Sequence, residues 1–207
     1  MLFIAFAHVS VCTSDSPIPG TWKKLSIFNR LPNPVEKKRF SKQFSESHSL
    51  ALYQADFDIE VIRYNNSDNL NSRLGNSKVQ FEDIFIKNII VSSSFSENFL
   101  LNLSWLTKQK NHISNGELRF RTLTQNNSVI FKQDDSKPKF NDFLDEEGLA
   151  SLAFYVDKID YSWLKENQTA GIISDLTEVF DLSVGKNLFR IVLIKVGGIY
   201  IELISRP

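Results

Sequence analysis

The feature that most constrains this chain is a hairpin written twice. Leu50 to Ile62 reads LALYQADFDIEVI and Val192 to Ile204 reads VLIKVGGIYIELI, aligned without a gap at an offset of 142 residues. Each copy is an apolar run, a short turn and a second apolar run, the pattern of two antiparallel strands. The returning strand carries one carboxylate in its middle, Glu60 in the first copy and Glu202 in the second. A carboxylate in such a run is costly to bury unless a cation, a donor or a metal stands beside it. Its appearance twice in one frame points to a duplicated module with a place for that carboxylate.

The repeat extends upstream. FAHVSV at Phe6 to Val11 matches LASLAF at Leu149 to Phe154, and Trp22-Lys23 matches Trp163-Leu164 within a residue or two. The chain therefore divides into three units. The first holds a β-run from Phe3 to Thr13, a short helix at Thr21 to Leu25, a loop at Pro32 to Pro34 and the hairpin to Tyr64. Polar residues from Asn65 to Lys78 read as a linker. The middle unit predicts a strand at Phe81 to Val91 and a helix from about Phe95 to Thr107, with Phe99, Leu100, Leu103 and Leu106 on its apolar side. Strands at Glu117 to Leu123 and Ser128 to Gln133 follow, then a charged connector with a helical turn at Phe140 to Leu144. The third unit predicts a strand at Leu149 to Val156, a capped helix from Asp160, and strands at Phe180 to Leu182, Phe189 to Val196 and Ile199 to Ile204. The class is α+β.

Composition removes several functions. Of 207 residues 42% are hydrophobic, including 17 Phe, which suits a packed core and not wholesale disorder. Lys plus Arg equal Asp plus Glu at 24 each, so no global charge argues for nucleic acid or an anionic membrane. One stretch is locally basic: Lys23, Lys24, Arg30, Lys37, Lys38, Arg39 and Lys42 face the single acid Glu36. It reads as a solvated face or, more sharply, as an anion subsite. Cys12 is the only cysteine, which excludes an internal disulfide and a thiolate metal cluster and fits a cytoplasmic location. The apolar start MLFIAFAHVSVC lacks a basic leader and a cleavage site, so it is read as a core strand.

GLASLAFYVDKID at Gly148 to Asp160 and FRIVLIKVGGIYIELISRP at Phe189 to Pro207 resemble the second module of the vicinal oxygen chelate superfamily. That group includes glyoxalases, extradiol dioxygenases, epimerases and bleomycin-resistance proteins. The middle unit, with SSSFSENFLLNLSWL, resembles the first module. The resemblance implies βαβββ modules forming a curved, glyoxalase-like half-barrel at 81–207, made of a first module (81–135) and a second module (148–207). Residues 1–66 become an additional N-terminal module of the second type and 67–80 a linker. A module without a partner exposes an apolar face and strand edges, so a homodimer or another protein partner through the N-terminal module is expected.

The resemblance also implies a site. The family takes one metal ligand from each module's first strand and a Glu from its last. By position these are His8 and Glu60 in unit one, and Ser151 and Glu202 in unit three. His8, Glu60 and Glu202 are therefore the expected metal ligands, with Glu60 and Glu202 also able to act as catalytic bases. The metal would be divalent Zn, Ni, Co, Mn or Fe, and the ligand or substrate a small oxygen-rich molecule. The middle unit offers Ile86, Ile130 and Phe131 where ligands would stand. A competent site then needs unit one to pair with unit three, bringing His8, Glu60 and Glu202 together, or with its own copy in a second chain.

Plainer readings stand beside these. His8 is equally a core histidine bonded to a neighbour, and Asp56, Asp58 and Glu60 an exposed acidic stripe. Glu202 is equally a structural acceptor, and His48 and His112 are surface residues. Trp22, Trp105 and Trp163 read as helix-to-sheet packing. The functional classes are a metal-dependent isomerase, epimerase or lyase, a metal-free binding or drug-sequestering protein, and a degenerate module used for assembly.

Overall fold

The computed structural model describes residues 1–13, 18, 20–40, 48–54, 58–64, 90–93, 99–107, 117–122, 128–133, 140–144 and 148–207. Unit one contributes β1 (Phe3–Thr13), β2 (Lys23–Arg30), the short helix α1 (Pro34–Lys37), β3 (His48–Gln54) and β4 (Asp58–Tyr64). The middle unit contributes β5 (Ile90–Ser93), α2 (Phe99–Thr107), β6 (Glu117–Arg121) and β7 (Ser128–Gln133). Unit three contributes β8 (Gly148–Val156), α3 (Tyr161–Thr169), β9 (Asp175–Leu176), β10 (Phe180–Val184), β11 (Asn187–Val196) and β12 (Ile199–Ser205).

Strands of units one and three form one sheet in the order β10-β11-β12-β8-β1-β4-β3-β2, with β9 beside β11. The middle strands form a separate sheet, β5-β7-β6. β1 and β8 join the units antiparallel at the centre, while β4 runs parallel to β1 and β12 parallel to β8. The expected pairing of the middle unit with unit three is absent from the described ladders. Both β1 and β8 are long runs buried along almost their whole length, as strands covered on both faces must be. Each offers the other a central neighbour along most of its length. β8 thus closes, within one chain, the edge of β1 that motivated a second protein partner.

The duplicated hairpins are β3–β4 and β11–β12. The second turns at Gly197-Gly198, where φ is +54° and +87°, a tight turn that side chains resist. Alternation sends the apolar positions of the central strands to one face. There Val9, Val11, Ile59, Val61, Leu152, Phe154, Ile201 and Leu203 meet α2, α3, β6 and β7 in one core. Phe154 stands at its middle, with ring centroids 5.5 Å from Phe6 and 4.8 Å from Phe120. The opposite face carries a second core, in which Val35 of α1 and Leu144 cover Leu50, Ile62, Leu193 and Tyr200. Arg39, just past α1, grips Asp175 of β9 through two hydrogen bonds of 2.9 and 3.0 Å.

Three local expectations change. Thr21 to Leu25 is not a helix: β2 begins at Lys23 and pairs with β3, so tertiary pairing overrides the local signal. The Pro32 to Pro34 loop leads into α1, whose Asn33 cap, Pro34 and Glu36 form a capping box. Residues 140–144 make a bend rather than a helical turn, held by the Leu144 amide donating to the Arg39 carbonyl at 3.1 Å. The helix begun at Asp160 is present, with the Asp160 side chain accepting from the Trp163 amide. The linker 67–80, most of the strand expected at Phe81 to Val91, Asp56 and His112 lie outside the described residues. No helix among the described residues is long and apolar enough to cross a membrane.

Candidate functional site

Two rows of register partners cross the four central strands. One reads Asp58, His8, Ala153, Glu202, and the other Glu60, Ser10, Ser151, Tyr200. An approximate two-fold relation between β1 and β8 exchanges His8 with Ser151 and Glu60 with Glu202. The offset read from the repeat is therefore also the symmetry of the sheet.

All three predicted ligands meet on the α1-covered face. His8 Nε2 lies 3.2 Å from Glu202 Oε2 and 3.9 Å from Glu60 Oε2. Each of the three residues is at most 6% exposed, which rules out the open acidic stripe for Glu60. Asp58 is half-buried beside them. Ser10 donates its hydroxyl to Glu60 Oε2 at 3.0 Å. Ser151 is buried in the place that His8 occupies in the other half.

Two residues outside the predicted set join the cluster. Arg30, at the end of β2, donates Nη1 and Nη2 to the two oxygens of Glu36 at 2.6 Å each. The same Nη2 stands 3.6 Å from Glu60 Oε1. Glu36 also accepts from the Asn33 amide, so the capping box of α1 orients it. Sequence offered a partial signal for this pair: Glu36 is the one acid in the basic stretch. Nothing in the sequence placed either residue against a strand 24 or more positions away. Tyr155, two residues beyond Ala153 on β8, was also missed. Burial, then the charges of Asp58 and Glu202, raises its pKa.

Among the described residues carboxylates outnumber cations here. Glu36, Glu60, Glu202 and Asp58 surround one guanidinium and one imidazole. Burial alone would lower the His8 pKa, but the close Glu202 carboxylate and the charges of Glu60 and Asp58 outweigh it and hold it above the ordinary value. Burial pushes Glu60 upward despite His8, Arg30 and the Ser10 hydroxyl, and Asp58 upward despite His8. His8 Nε2, Glu60 Oε1 and Asp58 Oδ1 are buried with no partner in hydrogen-bond geometry. The 3.2 Å approach of His8 Nε2 to Glu202 Oε2 is an ion pair whenever the imidazole is protonated.

The donor chemistry fits a divalent cation. Two donors each about 2.1 Å from a shared metal stand roughly 3 to 3.5 Å apart, close to the His8–Glu202 separation. An imidazole nitrogen within 3.2 Å of one carboxylate and 3.9 Å of another offers donor types that Zn, Ni, Co, Mn or Fe accept. Among the described residues, though, no three His, Cys, Asp or Glu side chains are already drawn together around one metal position. The looser arm is Glu60, which faces Ser10 and Arg30 as well as His8.

No family model and no curated protein matches the sequence. Solved structures that resemble it include methylmalonyl-CoA epimerase from Mycobacterium tuberculosis, 13% identical over 100% of this chain and 90% of that one, with a TM-score of 0.36. A putative dioxygenase from Bacillus subtilis is 11% identical over 99% and 64%, at 0.32. A glyoxalase I mutant from Zea mays is 12% identical over 98% and 67%, at 0.22. At such scores the likeness is loose, and the site stands on its own residues.

Proposed function

We propose that the chain is a small-molecule isomerase, epimerase or lyase whose reacting centre is the cluster of His8, Glu60 and Glu202. The observation that carries this reading is the meeting of two carboxylates, from two related hairpins, on one buried imidazole. Units one and three are then the two halves around the site. His8, Glu60 and Glu202 would hold a divalent metal, which when bound polarises a carbonyl or stabilises a developing enediolate. The excess of carboxylates over cations supports a place for that added positive charge.

The chain's own residues supply the proton chemistry. Glu60 on β4 and Glu202 on β12 stand on opposite sides of the central pair β1–β8. Carboxylates so placed suit removal of a proton from one side of a carbon acid and its return from the other. A Glu60 pKa raised by burial moves it toward the range in which a carboxylate both takes and gives protons near neutrality. Ser10 restrains one Glu60 oxygen and leaves the other for this work. A small carboxylate or dicarbonyl compound is the substrate class that such a site would serve.

A metal-free ligand-binding protein is the second reading, favoured by one observation: Arg30 already brings a cation to Glu60. Elemental analysis of the purified full chain, with melting temperatures measured on adding Zn, Ni, Co or Mn, separates the two. The first reading expects bound metal and a raised melting temperature, both lost in His8→Ala. Metal-free protein with unchanged melting would sink it and leave the binder.

A further inference from the structure

Arg30 and Glu36 belong to neither half of the repeat, yet they reach the centre of the site. The Arg30 side chain is 13% exposed, so its charge needs a carboxylate within reach. Two are available. Glu36 takes the fork of the guanidinium at 2.6 Å on both oxygens, whereas Glu60 Oε1 lies 1.0 Å further from Nη2 and makes no hydrogen bond. A fork satisfied on one carboxylate is poorly directed at another. Glu36 itself is oriented by the Asn33 amide in the cap of α1. The arrangement holds Arg30 just short of Glu60, the arm that must turn if three donors are to share a metal.

We propose that Arg30 and Glu36 are positioning residues that set the divalent-metal affinity of the His8–Glu60–Glu202 site. Paired with Glu36, Arg30 makes only a 3.6 Å ion pair with Glu60 and no hydrogen bond; released from Glu36, it closes on Glu60 and competes more strongly with the metal. This rests on the metal reading of the same cluster, but it adds a determinant that the ligand set alone does not contain. Removal of Arg30 relieves both repulsion and competition. Removal of the Glu36 charge alone turns the guanidinium toward Glu60, the nearest remaining carboxylate among the described residues.

The test is calorimetric titration of the metal-stripped full chain with Zn²⁺, using wild type, Arg30→Gln, Glu36→Gln and the double variant. Arg30→Gln is expected to bind Zn²⁺ roughly tenfold or more tightly, and Glu36→Gln roughly tenfold more weakly. The double variant removes both buried charges together, which folds more safely than removing one, and is expected to recover at least the wild-type affinity. That recovery separates competition from a merely structural role, which would leave the double variant no better than Glu36→Gln. Equal zinc affinity in all four proteins overturns the proposal while the metal reading stands. No zinc binding by any of them overturns both. Shifts in the expected directions without turnover support the proposal and count against the catalytic reading alone.

Discussion

Units one and three are two versions of one half, and they have diverged in opposite directions. Unit three keeps the scaffold: α3 is capped by Asp160, the hairpin turns on Gly197-Gly198, and every residue of β12 is buried. Unit one keeps the chemistry, with His8 where unit three has Ser151, and with Arg30 and Glu36 besides. Among the described residues unit one has no helix between β1 and β2 to match α3. The middle unit supplies cover of its own: Phe131 of β7 meets Phe6 of β1 at 5.6 Å, while α2 lies beside α3 with Trp105 stacked on Trp163 at 5.8 Å. An apolar sheet face asks only for apolar cover, and elements from elsewhere in the chain can provide it. A polar cluster asks for particular atoms, and only unit one has most of them.

The largest expected difference between the halves lies in the core. Phe154→Ala should cost about 4 kcal/mol in urea denaturation, because its ring joins the sheet to the middle unit. Val11→Ala, at the equivalent position of unit one, should cost about 2 kcal/mol. Similar losses would mean that the two halves carry the core equally.

In the site the order reverses. His8→Ala leaves Glu60 and Glu202 without their shared partner and should destabilise the metal-free chain by about 3 kcal/mol at neutral pH. Ser151→Ala should change stability by less than about 1 kcal/mol. Ser151→His tests the two-fold relation itself: a second imidazole at the mirrored position should tighten Zn²⁺ binding by roughly tenfold in calorimetry. Unchanged affinity would mean that the mirrored position does not face the metal.

The halves should also differ in their response to pH. His8 has a folded pKa above its unfolded one, so its contribution is complete below the unfolded value and is lost as pH rises through the folded one. The raised Glu60 and Asp58 act in the same sense at lower pH. Metal-free protein should therefore lose stability as pH climbs from about 6.5, by at most about 1.4 kcal/mol per pH unit for the one imidazole. His8→Gln should flatten that part of the profile; Ser151→Gln should not. The smallest effect belongs to α2: Trp105→Ala should cost about 1 kcal/mol, because the indole is 40% exposed and contributes mainly its stacking on Trp163.

Much of this was legible in residue patterns. The hairpins around Glu60 and Glu202, the strand around His8 and the helix begun by Asp160 follow from period, turn residues and caps. The ligand candidates followed from the positions that the family resemblance implies. Arg30 escaped because a basic stretch has no internal mark for the one cation that turns inward. Glu36 escaped although its capping box is a local motif, because the cap does not tell what else the carboxylate will hold. The middle unit misled for another reason: an amphipathic helix with short strands has the same pattern whether it forms half of a site or covers the back of a sheet.

By itself, the sequence determined the strands, the duplicated hairpins and which residue types stand at the repeated positions, because side-chain period and turn chemistry are local. Only the tertiary structure decided which halves meet. Pairing of β1 with β8 is a contest between long-range partners, settled by how much apolar surface each covers. That contest places His8 between Glu60 and Glu202, and it sets Arg30 within 3.6 Å of Glu60 while Glu36 holds it.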